Sequence, residues 1–186
     1  MITWSRKIQP IGGTVKPVRR DVAAAYVSAM ILALSFAGST PASAHFLGND
    51  SVDDREIRWE DETRYDDARK HAINAWDNSS LNRINIAPDA WNTVADLEWR
   101  DSTRTDVSWD GLWKPRTGAD AIYLNVTYLK DYGKTKRRGV ATHELGHALG
   151  LAHSYRGQIM VSNTPDRGSL TTPQSHDKAD YHSLWG

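Results

Sequence analysis

The sequence predicts an α+β domain behind a targeting leader, and three observations carry that prediction. Stretches in which apolar residues alternate flank a stretch with helical periodicity, so strands and helices interleave along the chain. A segment starting at His143 has helical spacing and stops on a glycine. The first 44 residues differ in composition from everything after them.

That leader carries Arg6, Lys7, Lys16, Arg19 and Arg20 against one acid, Asp21. Of the chain's 23 basic and 23 acidic residues, 18 and 22 therefore remain for residues 45–186. From Val22 to Gly38 the chain is apolar and rich in alanine, and Pro41-Ala42-Ser43-Ala44 offers an Ala-x-Ala cleavage site. Residues 1–44 thus read as a secretory signal peptide. The apolar run is short for a membrane span, so the remainder is expected to be secreted and free of the membrane. A mildly acidic body argues against nucleic acid as a partner. There is no cysteine, so neither a disulfide framework nor a thiolate metal site exists. Residues 45–186 are enough for one core and one domain, expected to be monomeric.

In order, residues 45–55 read as a polar arm and Glu56–Glu60 as a first strand. Thr63 and Asp66 resemble a helix-start box. Behind it Tyr65, Ala68, Ala72, Ile73 and Trp76 recur at helical spacing to about Ser79. His71 lies on that helix without a histidine three or four residues away, and it reads as structural. Residues 83–86 and 95–99 alternate as strands. Residues 101–120 read as a long loop in which Trp109 and Trp113 either pack against the sheet or form a platform for ligands. Ala121–Leu129 is the strongest strand, rich in β-branched and aromatic residues. The basic run Lys134–Arg138 reads as a solvated helix start that biases a nearby cleft toward acidic peptides. Thr172-Pro173 reads as the start of a closing helix that packs Tyr181, Leu184 and Trp185 inward. His176 and His182 read as structural.

The chemistry sits in His143-Glu144-Leu145-Gly146-His147-Ala148-Leu149-Gly150-Leu151-Ala152-His153. Histidines four apart on a helix share a face, so His143 and His147 can hold one ion. Gly150 fits a left-handed helix stop, after which His153 can swing back as a third nitrogen. Three imidazoles with one open position suit a catalytic zinc rather than a closed structural one. Glu144 is close enough to reach a water on that ion.

The full HExxHxxGxxH pattern, followed by Met160 in Gln158-Ile159-Met160-Val161, resembles the metzincin clan of zinc endopeptidases. Ser154 after the third histidine is similar to the matrixin group. No tyrosine follows two residues after Met160, where astacins and serralysins place a further ligand. Snapalysin-like enzymes are the second choice, but they carry Asp where this chain has His153.

The resemblance implies a mixed, twisted sheet packed on two helices with a third at the C-terminus. It also implies hydrolysis of protein or peptide substrates by a zinc-bound water, with Glu144 as general base. Met160 would form the hydrophobic floor under the histidines, and residues 162–171 would wall the pocket for the side chain after the cleaved bond. The strand at 121–125 would border the cleft and pair with extended substrate. The second, structural zinc of matrixins finds no histidine between Arg83 and Thr142. Calcium ligation by Asp110, Asp120 or loop carbonyls is left open, since no recognised calcium loop is present. A zinc-binding module without catalysis and a cell-wall peptide amidase are the competing readings.

Overall fold

The computed structural model describes residues 44–186, so the leader expected over 1–44 lies, apart from Ala44, outside the described residues. Five strands form one sheet in the order β2-β1-β3-β5-β4. They are β1 (Glu56–Glu62), β2 (Asn85–Pro88), β3 (Leu97–Ser102), β4 (Gly111–Lys114) and β5 (Asp120–Asn125). β1 pairs in parallel with β2 and β3, and β3 in parallel with β5. Only β4 runs antiparallel, along β5. The sheet is therefore mixed, as expected of an α+β catalytic domain.

Parallel neighbours need a crossover, which α1 (Asp66–Trp76) supplies between β1 and β2. Its inward face is Ala68, Ala72, Ala75 and Trp76, and the three alanines let it lie close to α3 (Lys134–Ala148). Trp76 is fully buried, and its indole N–H donates to the carbonyl of Thr142 at 2.8 Å. One side chain thus both fills the core and holds the residue before His143. Ile57, Leu97, Trp99, Ile122 and Leu124 close that core from the sheet, and Leu145 and Leu149 from α3. The C-terminal α5 (Ser175–Trp185) adds Tyr181, whose hydroxyl accepts from the backbone N–H groups of Arg83 and Ile84. The indole N–H of Trp185 donates to Leu149 at the end of α3.

Four local expectations are corrected. Residues 101–120 are not all loop, because β4 lies within them and forms the sheet edge. The strand read over 121–129 stops at Asn125, whose fully buried amide accepts from Thr127 N–H and starts α2 (Val126–Leu129). The same amide donates to Arg104 and Trp109 carbonyls, so it spends its polar groups on the loop instead of leaving a strand to continue. Thr63 does not cap α1. Its hydroxyl accepts from Tyr65 N–H and donates to Asp101, and α1 starts beyond it, with Tyr65 at its N-cap. At the far end Thr172-Pro173 precedes the helix, and Gln174 with Asp177 forms the reciprocal capping box of α5.

Among the described residues no helix is long and apolar enough to cross a membrane.

Candidate metal and catalytic site

The first turns of α3 are fixed before its histidines arrive. Lys134 and Arg138 pair with Asp67 of α1 at 3.0 and 2.8 Å, while Arg137 donates to the carbonyls of Leu129 and Lys130. The basic run is thus spent on neighbouring elements and does not line the cleft, contrary to the bias expected of it.

At its other end α3 stops through a Schellman turn. Gly150 has φ +86°, its N–H donates to His147, and Leu151 N–H donates to Gly146. A side chain at Gly150 would be strained there. The reversal brings His153 back over the helix. The arm secures it, since Leu47 N–H donates to Gly150 and Ala152 N–H donates to His45.

Three imidazoles consequently converge. His147 Nε2 lies 3.1 Å from His143 Nε2 and 3.2 Å from His153 Nε2. A tetrahedral zinc with Zn–N of about 2.0–2.1 Å would set its ligands about 3.3–3.4 Å apart, so the three nitrogens already sit at nearly that spacing. The tautomers of His143 and His147 are fixed from behind. Nδ1–H of His143 donates to Ile159 at 2.8 Å, and Nδ1–H of His147 donates to Leu151 at 2.7 Å. Each Nε2 lone pair is thereby left for a metal. Burial pushes His143 well below the usual histidine range and His147 down to about 4. His153 is lowered by burial and then by the charge of Arg167. Neutral imidazoles are the form that binds metal, and these residues fit zinc.

Glu144 is 5% exposed, and burial pushes its carboxyl up to about 7. Its Oε2 accepts the backbone N–H of Trp113 on β4 at 2.7 Å. Glycine at 111 makes that approach feasible, because a Cβ there would stand 2.7 Å from Glu144 Oε1.

Beneath the histidines, Met160 packs on Gly146, where a Cβ would be 2.3 Å from its sulfur. Ile159 serves the site through its carbonyl, which the sequence does not advertise. Asp177 of α5 holds this turn by accepting Ile159 and Met160 N–H groups at 2.8 and 3.2 Å. Gln158 returns the contact, accepting from His176 N–H.

The histidines and Glu144 open into a cleft of about 750 Å³ bordered by Gly111, Leu112 and Trp113 of β4. The expectation that residues 121–125 border it is corrected: β5 is interior, flanked by β3 and β4, and β4 is the free edge. Trp113 is a core residue whose indole N–H donates to Ser51, so the packing reading holds for it. Trp109 lines the cleft half-buried.

The opposite wall is Ser162–Pro165 with Arg167, from the short α4 (Thr164–Arg167). Arg167 is 4% exposed and donates to Ile159 and Thr164. Burial lowers its pKa, while the charges of Glu144 and Asp110 oppose that. Sequence reading missed it, because an arginine in a polar loop normally points to solvent. Asp110 and Asp120, considered for calcium, join no metal-competent cluster among the described residues. Asp120 instead accepts from the Ser51 hydroxyl and from the backbone N–H of Arg116.

No curated protein matches by sequence. Among solved structures the chain is similar to one titled "GM1 bound form of the ECX AB5 holotoxin". That match has 17% identity and a TM-score of 0.50, covering 70% of this chain and 80% of that one, so the likeness is one of fold. The family described as Peptidase_M10, matrixin, matches residues 34–186. Its members are zinc-binding metallopeptidases. The strand order, the histidine triad and that match together make the chain a member of the matrixin family.

Proposed function

We propose that the chain is a secreted zinc endopeptidase in which His143, His147 and His153 hold the ion and Glu144 is the general base. The observation that carries the reading is the convergence of three Nε2 atoms beside a buried carboxyl whose pKa stands near 7. Zinc bound there supplies a Lewis acid that lowers the pKa of water and polarises a peptide carbonyl.

The chain's own residues do the rest. Glu144 has a pKa near working pH, which suits a group that must both take and return a proton. It accepts a proton from water in the cleft and passes it to the leaving amine. Trp113 N–H holds its Oε2 and leaves Oε1 for that transfer. Extended substrate lies along β4, whose outer edge is unpaired in the sheet, and gains backbone hydrogen bonds there. Arg167 and Thr164–Pro165 form the far wall for a substrate side chain. Residues 1–44 direct export and are removed, after which the domain acts as a monomer on protein or peptide substrates. The composition of the leader supports that route.

The test is casein cleavage by the purified protein, with and without o-phenanthroline, beside a zinc count. Chelator-sensitive cleavage with zinc bound is expected. Zinc without cleavage of casein or any peptide panel would favour a binding module, and cleavage confined to cell-wall peptides would favour the amidase reading.

A further inference from the structure

A second constellation of metal-binding side chains lies about the N-terminal arm. His45 is on the arm, and His176 and Asp180 lie four residues apart on one face of α5. His45 Nδ1 is 3.0 Å from His176 Nε2 and 3.4 Å from Asp180 Oδ2, and His176 Nε2 is 3.3 Å from the same oxygen. These three edges match the 3.1 and 3.2 Å spacings of the histidine triad. They also bracket the ligand spacing of a tetrahedral zinc, about 3.3–3.4 Å.

Hydrogen bonding alone does not account for the triangle. If both ring nitrogens donate to Asp180 Oδ2, two N–H groups face each other at 3.0 Å. If one donates to the other, the accepting nitrogen carries no proton, so the single ring proton in the triangle is already engaged and the accepting nitrogen's lone pair faces the carboxylate oxygen. A single cation between the three atoms satisfies every edge at once. The side chains of His176 and Asp180 are each 5% exposed, so an unmet interaction there is costly, while His45 is a third exposed and leaves a route for an ion.

We propose that His45, His176 and Asp180 form a second site for a divalent transition metal, with zinc as the natural occupant. Two imidazoles and one carboxylate select such an ion over calcium or magnesium, which take oxygen ligands. The site is a clamp. The arm runs antiparallel to the segment between the second and third triad histidines, with Phe46 bridged to Leu151. Leu47 continues into the cleft wall. An ion on His45 therefore ties the arm and that segment to α5, whose Asp177 holds the turn under the histidines. The ring of Tyr155, 4.6 Å from that of His176, covers the flank.

The proposal does not rest on peptidase activity. Its test is zinc per chain, measured on tag-free protein saturated with zinc chloride and passed through a desalting column. Two ions are expected in the native protein. One is expected in His176→Gln, one in His45→Ala, and one in the double variant His143→Ala/His147→Ala. His45 sits on the surface arm, so its variant keeps the measurement meaningful if His176→Gln disturbs the fold. One ion in the native protein and none in the double triad variant would overturn the second site while leaving the first intact. Two ions retained by both His45→Ala and His176→Gln would overturn it as well.

Discussion

Glu144 Oε2 accepts the backbone N–H of Trp113 at 2.7 Å, which joins the helix bearing His143 and His147 to the free edge of the sheet. The bond holds a carboxyl that is otherwise buried without a cationic partner within ion-pair distance among the described residues. It also gives the carboxyl a fixed orientation toward the cleft. Glycine at 111 is what lets strand and helix come that close, since a Cβ would also meet Val140 at 2.6 Å.

Replacing Glu144 by Gln should lower kcat about 10²–10⁴-fold, the usual weight of a general base. The amide oxygen can still accept from Trp113, so the fold and the zinc count should be unchanged. Peptidase assays beside metal analysis read both, and near-native turnover in the variant would remove Glu144 from the chemistry.

In the metal-free protein the same substitution should raise stability at alkaline pH. The folded pKa of Glu144 is near 7 against an ordinary 4.5, so the native state binds its proton more tightly than the unfolded chain does. The stability this contributes is complete below pH 4.5 and is lost as pH rises through 7, a span of about 3 kcal/mol. Glu144→Gln should thus be more stable than native at pH 8 by up to that amount, with the difference fading toward pH 4.5. His147 acts with the opposite sign. Its pKa is depressed to about 4, so its contribution is present above pH 6.5 and is lost as pH falls through 4. Urea unfolding of chelator-treated protein from pH 4.5 to 8 checks this, and equal stability at pH 8 would contradict it.

Gly146→Ala should destabilise the domain although alanine is the better helix former. The new methyl would stand 2.3 Å from Met160 sulfur and 3.0 Å from Trp76, with both side chains buried. Overpacking of this kind costs about 1–3 kcal/mol, against roughly 1 kcal/mol gained in helix propensity. A fall of several degrees in melting temperature is expected, together with weaker zinc retention as Met160 pushes on the turn that orients His143. An unchanged melting temperature would mean that Met160 can swing aside.

The histidine triad was legible because its geometry is local. Four residues along a helix, a glycine free to take φ +86° and three more residues decide where His143, His147 and His153 fall, whatever packs around them. The alternation of Glu56–Glu60, the helical period through Trp76 and the apolar run from Ala121 were equally local signals. They correctly announced β1, α1 and β5.

Other features depended on partners distant in sequence. A four-residue strand between Trp109 and Pro115 has no period to read, and β4 exists only because β5 pairs with it. Arg167 became a wall of the cleft because α4 folds it beneath residues 162–165, and Lys134–Arg138 left the cleft because Asp67 lies across from them. His45 meets His176 over 131 positions, a distance at which no spacing rule acts. The sequence by itself determined the ligand set and its chemistry, since helical period and backbone sterics are properties of short segments. Tertiary structure alone decided which strand edge borders the cleft, which arginine lines it and which remaining histidines converge, because those follow from how separate segments bury their apolar faces together.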